Sequence, residues 1–319
     1  MIKAAAARAK GRVRRTPLLN SPTLDRLAGR HVFVKAECLQ HTGSFKLRGA
    51  WSAISGLDPS EKSSGVIAVS SGNHAQGIAL ATHAHKVRAV ILMPSDAPAQ
   101  KIENTRTLGA EVVLYDRAQD DRDTLSHQLC AERGLTMISP YDHPLVIAGQ
   151  GTVGIEIAEQ ARELGIQAAR VLVPCGGGGL TSGIALALQS LAPDMIVHPC
   201  EPSGFDDAIR SLNSGKIERN QRSSGSICDA ILTPSPGKIT FPIMQRLCQP
   251  GVAVTDNECL RAMALAFSWL KIVIEPGGAV ALAAALFHGQ SFGQDDLIVV
   301  ASGGNVETAL FQRALAQKI

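Results

Sequence analysis

From Val66 onward the chain alternates short apolar runs with longer segments of helical spacing. The runs "VIAVSS" (66–71), "VRAVILMP" (87–94), "EVVLYD" (111–116) and "TMIS" (136–139) predict strands, and 74–84, 98–109 and 118–133 predict the helices between them. These strands are apolar at successive positions rather than at every second one, the pattern of a parallel sheet covered on both faces. The rhythm restarts with a helix over 147–165, a strand over 170–176, a glycine run, a helix over 179–191 and a strand over 195–202. Residues 203–251 are richer in Ser, Pro and Gly and less regularly periodic. Helices over 257–270 and 277–287, a strand over 296–303 and a last helix over 304–316 complete the pattern. Two α/β blocks result, with breaks near 65 and 145. In doubly wound sheets ligands bind beyond the carboxyl ends of the strands. Four such ends carry unusual residues here, at 70–74, 174–179, 201–203 and 302–305.

Composition narrows the class. The 319 residues are 45% apolar and 18% charged, enough for one large domain or two ordinary ones with a sizeable core. Lys plus Arg number 31 against 28 Asp plus Glu, a net charge of +3 that is too weak and too dispersed for a nucleic-acid footprint. The basic stretch "ARAKGRVRR" (7–15) reads as part of an amphipathic first helix rather than a targeting arm, because no long apolar core follows it. No apolar run reaches the roughly 18 residues of a membrane span. The seven cysteines, at 38, 130, 175, 200, 228, 248 and 259, are scattered and contain no CxxC. They read as reduced thiols of a cytoplasmic protein, not a disulfide framework or a zinc site.

Two stretches carry candidate chemistry. "VPCGGGGLTSG" (173–183) is a strand, four glycines and a helix start. Glycines let backbone N–H groups close on an anion without interference from Cβ, and the helix start adds its partial positive charge. The run is not a dinucleotide fingerprint, since the third glycine of GxGxxG would fall on Thr181 or Ser182, and no GxxxxGK[ST] occurs. In "HTGSFKLRGA" (41–50), Lys46 stands between Gly43 and Gly49, where backbone can approach closely. An amine in a shielded place has a lowered pKa and can act as nucleophile and then as base.

A phosphate cradle, a shielded amine and polar strand ends together suggest pyridoxal phosphate. The sequence resembles the fold-type II pyridoxal-phosphate enzymes, in the threonine dehydratase and serine racemase branch. The matching stretches are "KAECLQHTGSFKLRGA" (35–50), "VSSGNHAQGIA" (69–79), "AGQGT" (148–152), "VPCGGGGL" (173–180), "EPSGFDD" (201–207), "EPGGAVALAA" (275–284) and "ASGGN" (301–305), in the family's order across nearly the whole chain. The resemblance implies an α/β fold of the tryptophan-synthase-β-like kind, two doubly wound domains with the cofactor in the cleft between them. Residues 1–64 and 145–319 would form the large cofactor-binding domain and 65–144 a small mobile substrate domain. Lys46 would carry the cofactor as a Schiff base, with Phe45 packed against the ring. Asn73 would bond the 3′-oxygen. Gly176, Gly177, Gly178 and Gly179, with the Leu180 amide, would hold the phosphate, and Ser302 would face the ring nitrogen. Ser70, Ser71, Gly72 and His74 would form the substrate loop, His74 as a helix-start residue that orders it.

Ser71 has a second implied role. In the racemase branch the equivalent hydroxyl exchanges the α-proton on the face opposite the lysine, so its presence permits racemisation while its other reading is carboxylate binding. Glu201, the Phe205 carbonyl and Asp207 match a divalent cation site of racemase-like members; oxygen ligands suit Mg²⁺, or Ca²⁺ or Mn²⁺, and not zinc. Glu275 is expected close to the cofactor rim, and Gly277 departs from the Ser or Thr common there. The activity implied is elimination from a β-hydroxy amino acid such as L-threonine or L-serine to a 2-oxo acid and ammonia. The alternatives are serine or aspartate racemisation, 3-hydroxyaspartate ammonia-lyase activity, for which no extra cation is assignable from sequence, and a specialised dehydratase of hydroxyectoine breakdown, suggested by "CDAILTPSPGKITFPI" (228–243). A protein that has kept the cofactor and lost the chemistry is a further reading, opposed by intact Lys46, Asn73, glycine run and Ser302. The expected partners are a small amino-acid substrate and a second copy in a homodimer, with no nucleic acid and no membrane.

Overall fold

The computed structural model describes residues 1–70, 72–97, 99–116 and 118–317. Among the described residues, ten strands form two sheets. They are β1 (Leu18–Asn20), β2 (Val32–Lys35), β3 (Val66–Val69), β4 (Ala89–Pro94), β5 (Glu111–Tyr115), β6 (Thr136–Met137), β7 (Ala169–Pro174), β8 (Met195–Pro202), β9 (Val252–Val254) and β10 (Leu297–Val300). The larger sheet runs β1-β2-β10-β7-β8-β9 and the smaller β5-β4-β3-β6. All neighbours are parallel except β1 and β2. The physical reason is visible in the central strands: every residue of β4 and of β10 is buried, so helices cover both faces. Among the described residues no helix is long and apolar enough to cross a membrane.

Strands β3 to β8 and β10 match the runs read from the sequence, which offers none at β1, β2 or β9, and the predicted helices fall at Asn73–His85, Ala99–Thr107, Arg122–Arg133, Pro144–Glu163, Gly179–Leu191, Asp256–Leu270, Pro276–Phe287 and Thr308–Leu315. The basic stretch departs from expectation. The first helix is Ile2–Ala9 and stops before most of it, with Gly11 at φ +71° just beyond. Its cations serve neighbouring elements instead: Arg14 donates to the Leu39 carbonyl at 2.9 Å, and Arg15 pairs with Glu163 at 2.6 Å.

One arrangement sets the geometry of the large unit. The Pro144–Glu163 helix lies between the Lys46–Gly56 helix and the Gly179–Leu191 helix, and it meets both nearly backbone to backbone. A Cβ on Gly149 would lie 2.3 Å from the Arg48 carbonyl oxygen. On the other side, a Cβ on Gly151 would lie 2.8 Å from the Gly183 carbonyl oxygen, and one on Gly183 only 2.6 Å from the Gly151 amide nitrogen. "AGQGT" is therefore a packing motif: its glycines set the distance between the helix that begins at Lys46 and the helix that follows the glycine run.

A buried ionic network locks the same helices. Arg48 donates to both oxygens of Glu37 at 2.8 Å and to Glu156 at 2.7 and 2.9 Å. Lys35 donates to Glu156 at 2.6 Å, to Gln160 at 2.8 Å and to the Thr16 carbonyl at 2.7 Å. Four ionised groups at this depth are tolerable only because every one is paired.

Gly149→Ala is expected to lower unfolding free energy by about 1–3 kcal/mol through overpacking, with little change in the denaturant slope. An unchanged urea midpoint would show that this helix contact does not set the spacing.

Candidate active site

Lys46 opens its helix directly from Phe45, which is itself in the α region. The Nζ is buried, lies 5.2 Å from the Phe45 ring centre and donates to the Pro140 carbonyl at 2.9 Å. Burial lowers its pKa to about 8, against a partial upward pull from Glu275. The flanking glycines now have reasons. A Cβ on Gly43, which sits at φ +71°, would collide with the Asn305 side chain, and one on Gly49 would collide with Gln150. From the neighbouring helix, Gly77 brings its Cα against the Lys46 backbone.

The glycine run leaves β7 and forms the start of the Gly179–Leu191 helix, with Gly178 at φ +88°. A Cβ on Gly177 would stand 2.2 Å from the Tyr141 ring, and one on Gly179 would stand 2.9 Å from the Tyr141 backbone. A cradle this tight admits no side chains. Its outer edge is held by Thr240, whose hydroxyl donates to the Gly177 carbonyl at 2.6 Å, and by the Gly237 amide at 3.1 Å. Asp142 in turn accepts from the amides of Lys238, Ile239 and Thr240 at 2.8–3.3 Å. The Pro140–Asp142 turn thus touches both the amine and the cradle. Tyr141 and Asp142 escaped sequence reasoning, although "SPYD" directly after a strand was a usable signal.

A second hydrogen-bonded chain faces the same space. Asn73 donates from Nδ2 to Glu275 at 2.6 Å and accepts at Oδ1 from Asn305 at 2.7 Å, while Asn305 also donates to the Thr42 carbonyl at 2.8 Å. The orientation of the Asn73 amide is therefore determined at both ends. Burial raises the Glu275 carboxyl to about 7, with the Asn73 hydrogen bond opposing. Glu275 takes a structural place that sequence reasoning had left as proximity to a rim, and Asn305 was missed as an individual contributor.

The loop after β3 leads into the Asn73–His85 helix, whose first turn opens on the cavity. Ser70 accepts from the Gly72 amide at 3.2 Å, and both line the cavity. Ser71 lies outside the described residues. His74 is buried; its Nε2 is 3.0 Å from the Ile138 carbonyl, which makes Nε2 the donor, and its Nδ1 has no partner among the described residues. Burial pushes this imidazole down to about 3, with nearby Lys46 adding to the shift. It stands neutral, tying the helix start to the segment after β6.

These groups converge on a cavity of about 520 Å³, lined by Phe45, Lys46, Asn73, the four glycines, Leu180, Glu275 and Ser302. Ser302 follows β10 and is buried. The lining also includes residues that the sequence did not assign: Lys101, Arg122 and His127, together with Asp123 and Asp229; Arg122 pairs with Asp123 at 2.9 Å. Lys101 meets Asp229 at 3.8 Å.

Glu201 and Asp207 stand apart from this cavity lining. Glu201 lies inside β8, not on the loop after it, and accepts from the Ala208 and Ile209 amides at 3.0 and 2.7 Å. Asp207 begins the Asp207–Ser214 helix, with Phe205 in the intervening turn. Burial raises both carboxyls, Glu201 well above its usual value and Asp207 to about 7, and Asp207 adds charge repulsion to Glu201. Asp207 is fully buried and its Oδ2 has no partner among the described residues. Among the described residues no three His, Cys, Asp or Glu side chains gather as a metal cluster.

A family model described as "Pyridoxal-phosphate dependent enzyme" matches residues 9–303. An L-threo-3-hydroxyaspartate ammonia-lyase from a Pseudomonas species is 42% identical over 303 residues, covering 95% of this chain and 93% of the relative. The structure of a threonine deaminase from T.th. superposes with a TM-score of 0.90 at 44% identity, covering 96% of this chain and 97% of that one. Serine racemase from Dictyostelium discoideum superposes with a TM-score of 0.89 at 37% identity, covering 96% and 97%.

The His74 geometry predicts a pH effect. Its folded value near 3 lies below the usual 6.5, so the unfolded chain takes up a proton that the folded chain refuses. Its contribution to stability is full above about 6.5 and is lost as pH falls towards about 3. His74→Gln keeps a donor for the Ile138 carbonyl and removes the titration. The stability gap between wild type and variant in urea should therefore move against wild type as the pH is lowered through this window. A constant gap would mean that the imidazole charges freely in the fold.

Proposed function

The chain belongs to the pyridoxal-phosphate dependent enzymes, and we propose that within them it is an ammonia-lyase converting a β-hydroxy amino acid to a 2-oxo acid and ammonia. The observation that carries this reading is Lys46, a buried amine lowered to about 8 on the wall of a cavity that also holds an anion cradle and a second helix start. The residues fit pyridoxal phosphate: the four glycines are packed too closely against Ile231, Tyr141 and Met244 for any side chain and line the cavity with backbone, and the amine is desolvated enough to be neutral in part at working pH. When bound, the cofactor supplies an electron sink for the bonds broken at the α and β carbons.

The chain's own residues have the following roles. Lys46 would hold the cofactor through Nζ, and the same atom takes the substrate α-proton. Gly176 to Gly179 and the Leu180 amide would hold the phosphate, Phe45 would pack on the ring and Asn73 would donate to the 3′-oxygen. Ser302 would face the ring nitrogen with a hydroxyl, which leaves that nitrogen uncharged and suits β-elimination. The start of the Asn73–His85 helix, with Ser70, Ser71 and Gly72, would bind the α-carboxylate. His74 orders that loop. The unit of residues 65–144 would close over the substrate and exclude water. The hydroxyl of Ser71 would decide whether α-proton exchange accompanies elimination.

Lys101 and Arg122, paired in the same lining with Asp229 and Asp123, are the cations that a second substrate carboxylate, as in 3-hydroxyaspartate, would recruit. Purified enzyme is to be given L-threonine, L-serine, D-serine, both 3-hydroxyaspartate diastereomers and a hydroxyectoine-derived amino acid, with 2-oxo acid, ammonia and enantiomer composition followed together. Oxo acid from a β-hydroxy substrate is the expected result, and isomer exchange with little oxo acid would overturn the lyase reading. Lys46→Ala should abolish turnover. Arg122→Ala should raise KM for L-threo-3-hydroxyaspartate at least about tenfold while sparing L-threonine, a loss of about 1.4 kcal/mol. Equal effects on both substrates would remove Arg122 as the reader of the second carboxylate.

A magnesium ion, or another hard divalent cation, would sit between Glu201, the Phe205 carbonyl and Asp207. The unpartnered, buried Oδ2 of Asp207 supports this. Magnesium is expected to raise the melting temperature of wild type and not of Asp207→Asn. Equal shifts in both would place the ion elsewhere.

A further inference from the structure

We infer that Asn220 is a positioning residue that transmits the arrangement of the Asp207 carboxylate to the wall of the cofactor cavity. The inference rests on the reading of that cavity as the pyridoxal-phosphate site. Residues 229–234 form one wall of the cavity. They press on the cradle: a Cβ on Gly176 would lie 3.2 Å from both the Ile231 carbonyl oxygen and the Thr233 methyl carbon. Yet only a single 3₁₀ turn, Asp229–Ile231, gives this stretch any regular structure. Its position is determined by side chains. At one end Asp256 accepts from the Ser226 hydroxyl and the Ile227 amide, and at the other the Gly237 amide bonds to Gly177.

Asn220 supplies the anchor between these ends. Its backbone amide donates to the Pro234 carbonyl at 2.9 Å, and its Nδ2 donates to the Thr233 carbonyl at 2.9 Å. The second hydrogen of Nδ2 goes to Asp207 Oδ1. Its Oδ1 accepts from Arg210 at 2.7 Å, so the amide cannot flip without losing three bonds. One planar group thus joins the buried carboxylate to the wall. Any event that moves Asp207 acts on Thr233 and Pro234 through it. Free rotation of the Asn220 amide would uncouple them.

The test is a double-mutant cycle read by the cofactor itself. Cofactor-free wild type, Asn220→Ala, Asp207→Asn and the double variant are titrated with pyridoxal 5′-phosphate, with affinity and cofactor emission recorded. Each single variant should bind the cofactor at least about fivefold more weakly and shift its emission, and the double should be no worse than the worse single, the sign of one shared path. Arg210→Met, which frees the Asn220 oxygen while leaving both its donors, should show a smaller change in the same direction, and it carries the test if Asn220→Ala does not fold. Losses that multiply in the double variant, or an Asn220→Ala protein that matches wild type, overturn the inference while leaving the cofactor site intact. Failure of wild type to bind pyridoxal phosphate at all would defeat the cofactor reading, and this inference with it.

Discussion

The spacing between two helices governs this molecule. The helix that begins at Lys46 and the helix that follows the glycine run belong to distant parts of the chain, and the Pro144–Glu163 helix separates them by little more than the thickness of its own backbone. Glycine at positions 149, 151 and 183 makes that approach possible, because each missing Cβ is replaced by a neighbouring carbonyl, amide or Cα. The distance between amine and anion cradle is thereby set by close-packed backbone, which deforms far less readily than side chains do. The paired charges of Lys35, Glu37, Arg48 and Glu156 act in the same direction. Burying them yields little net stability, but it penalises any shift that would break a pair.

On this frame the site is electrostatically economical. Two helix starts, at Asn73 and at Gly179, open on one cavity, each with the partial positive charge of its free amides. Between them the ionisable groups are held near neutrality by burial: Lys46 is lowered, Glu275 is raised, and His74 stays uncharged. Lys46 and Glu275, poised near neutral pH, can gain or lose a proton at small cost, which general acid and base chemistry requires, whereas His74 takes no proton there. The amides around them are not free to adjust. Asn73 is held by Glu275 and Asn305, and the Pro140–Asp142 turn is held against the cradle.

The least regular part of the chain contributes as much to the site as the most regular. Residues 215–236 contain no strand and only one short 3₁₀ turn, yet they supply a wall of the cavity. Their order comes from polar side chains contributed by other elements: Asp256, Asp207 and Arg210. Such contacts leave no periodicity in sequence, and this is why Asn220 was invisible there while Lys46, Asn73 and the glycine run were not. The latter stand at strand ends or in glycine-rich stretches, where local composition already signals an unusual backbone.

The sequence by itself determined the α/β alternation, the parallel character of both sheets and the family, because buried strands and glycine-dependent backbones impose residue types at fixed positions. It also marked the amine and the cradle as chemistry. Tertiary structure alone decided which distant groups meet: Pro140 on Lys46, Tyr141 on Gly177, Glu275 on Asn73, and the ion pair of Lys101 with Asp229 in the cavity lining. It also ended the first helix at Ala9, ahead of most of the basic stretch. Local pattern records what each segment must bury. It does not record which partner, tens or hundreds of residues away, satisfies a polar atom, because that depends on how whole layers pack.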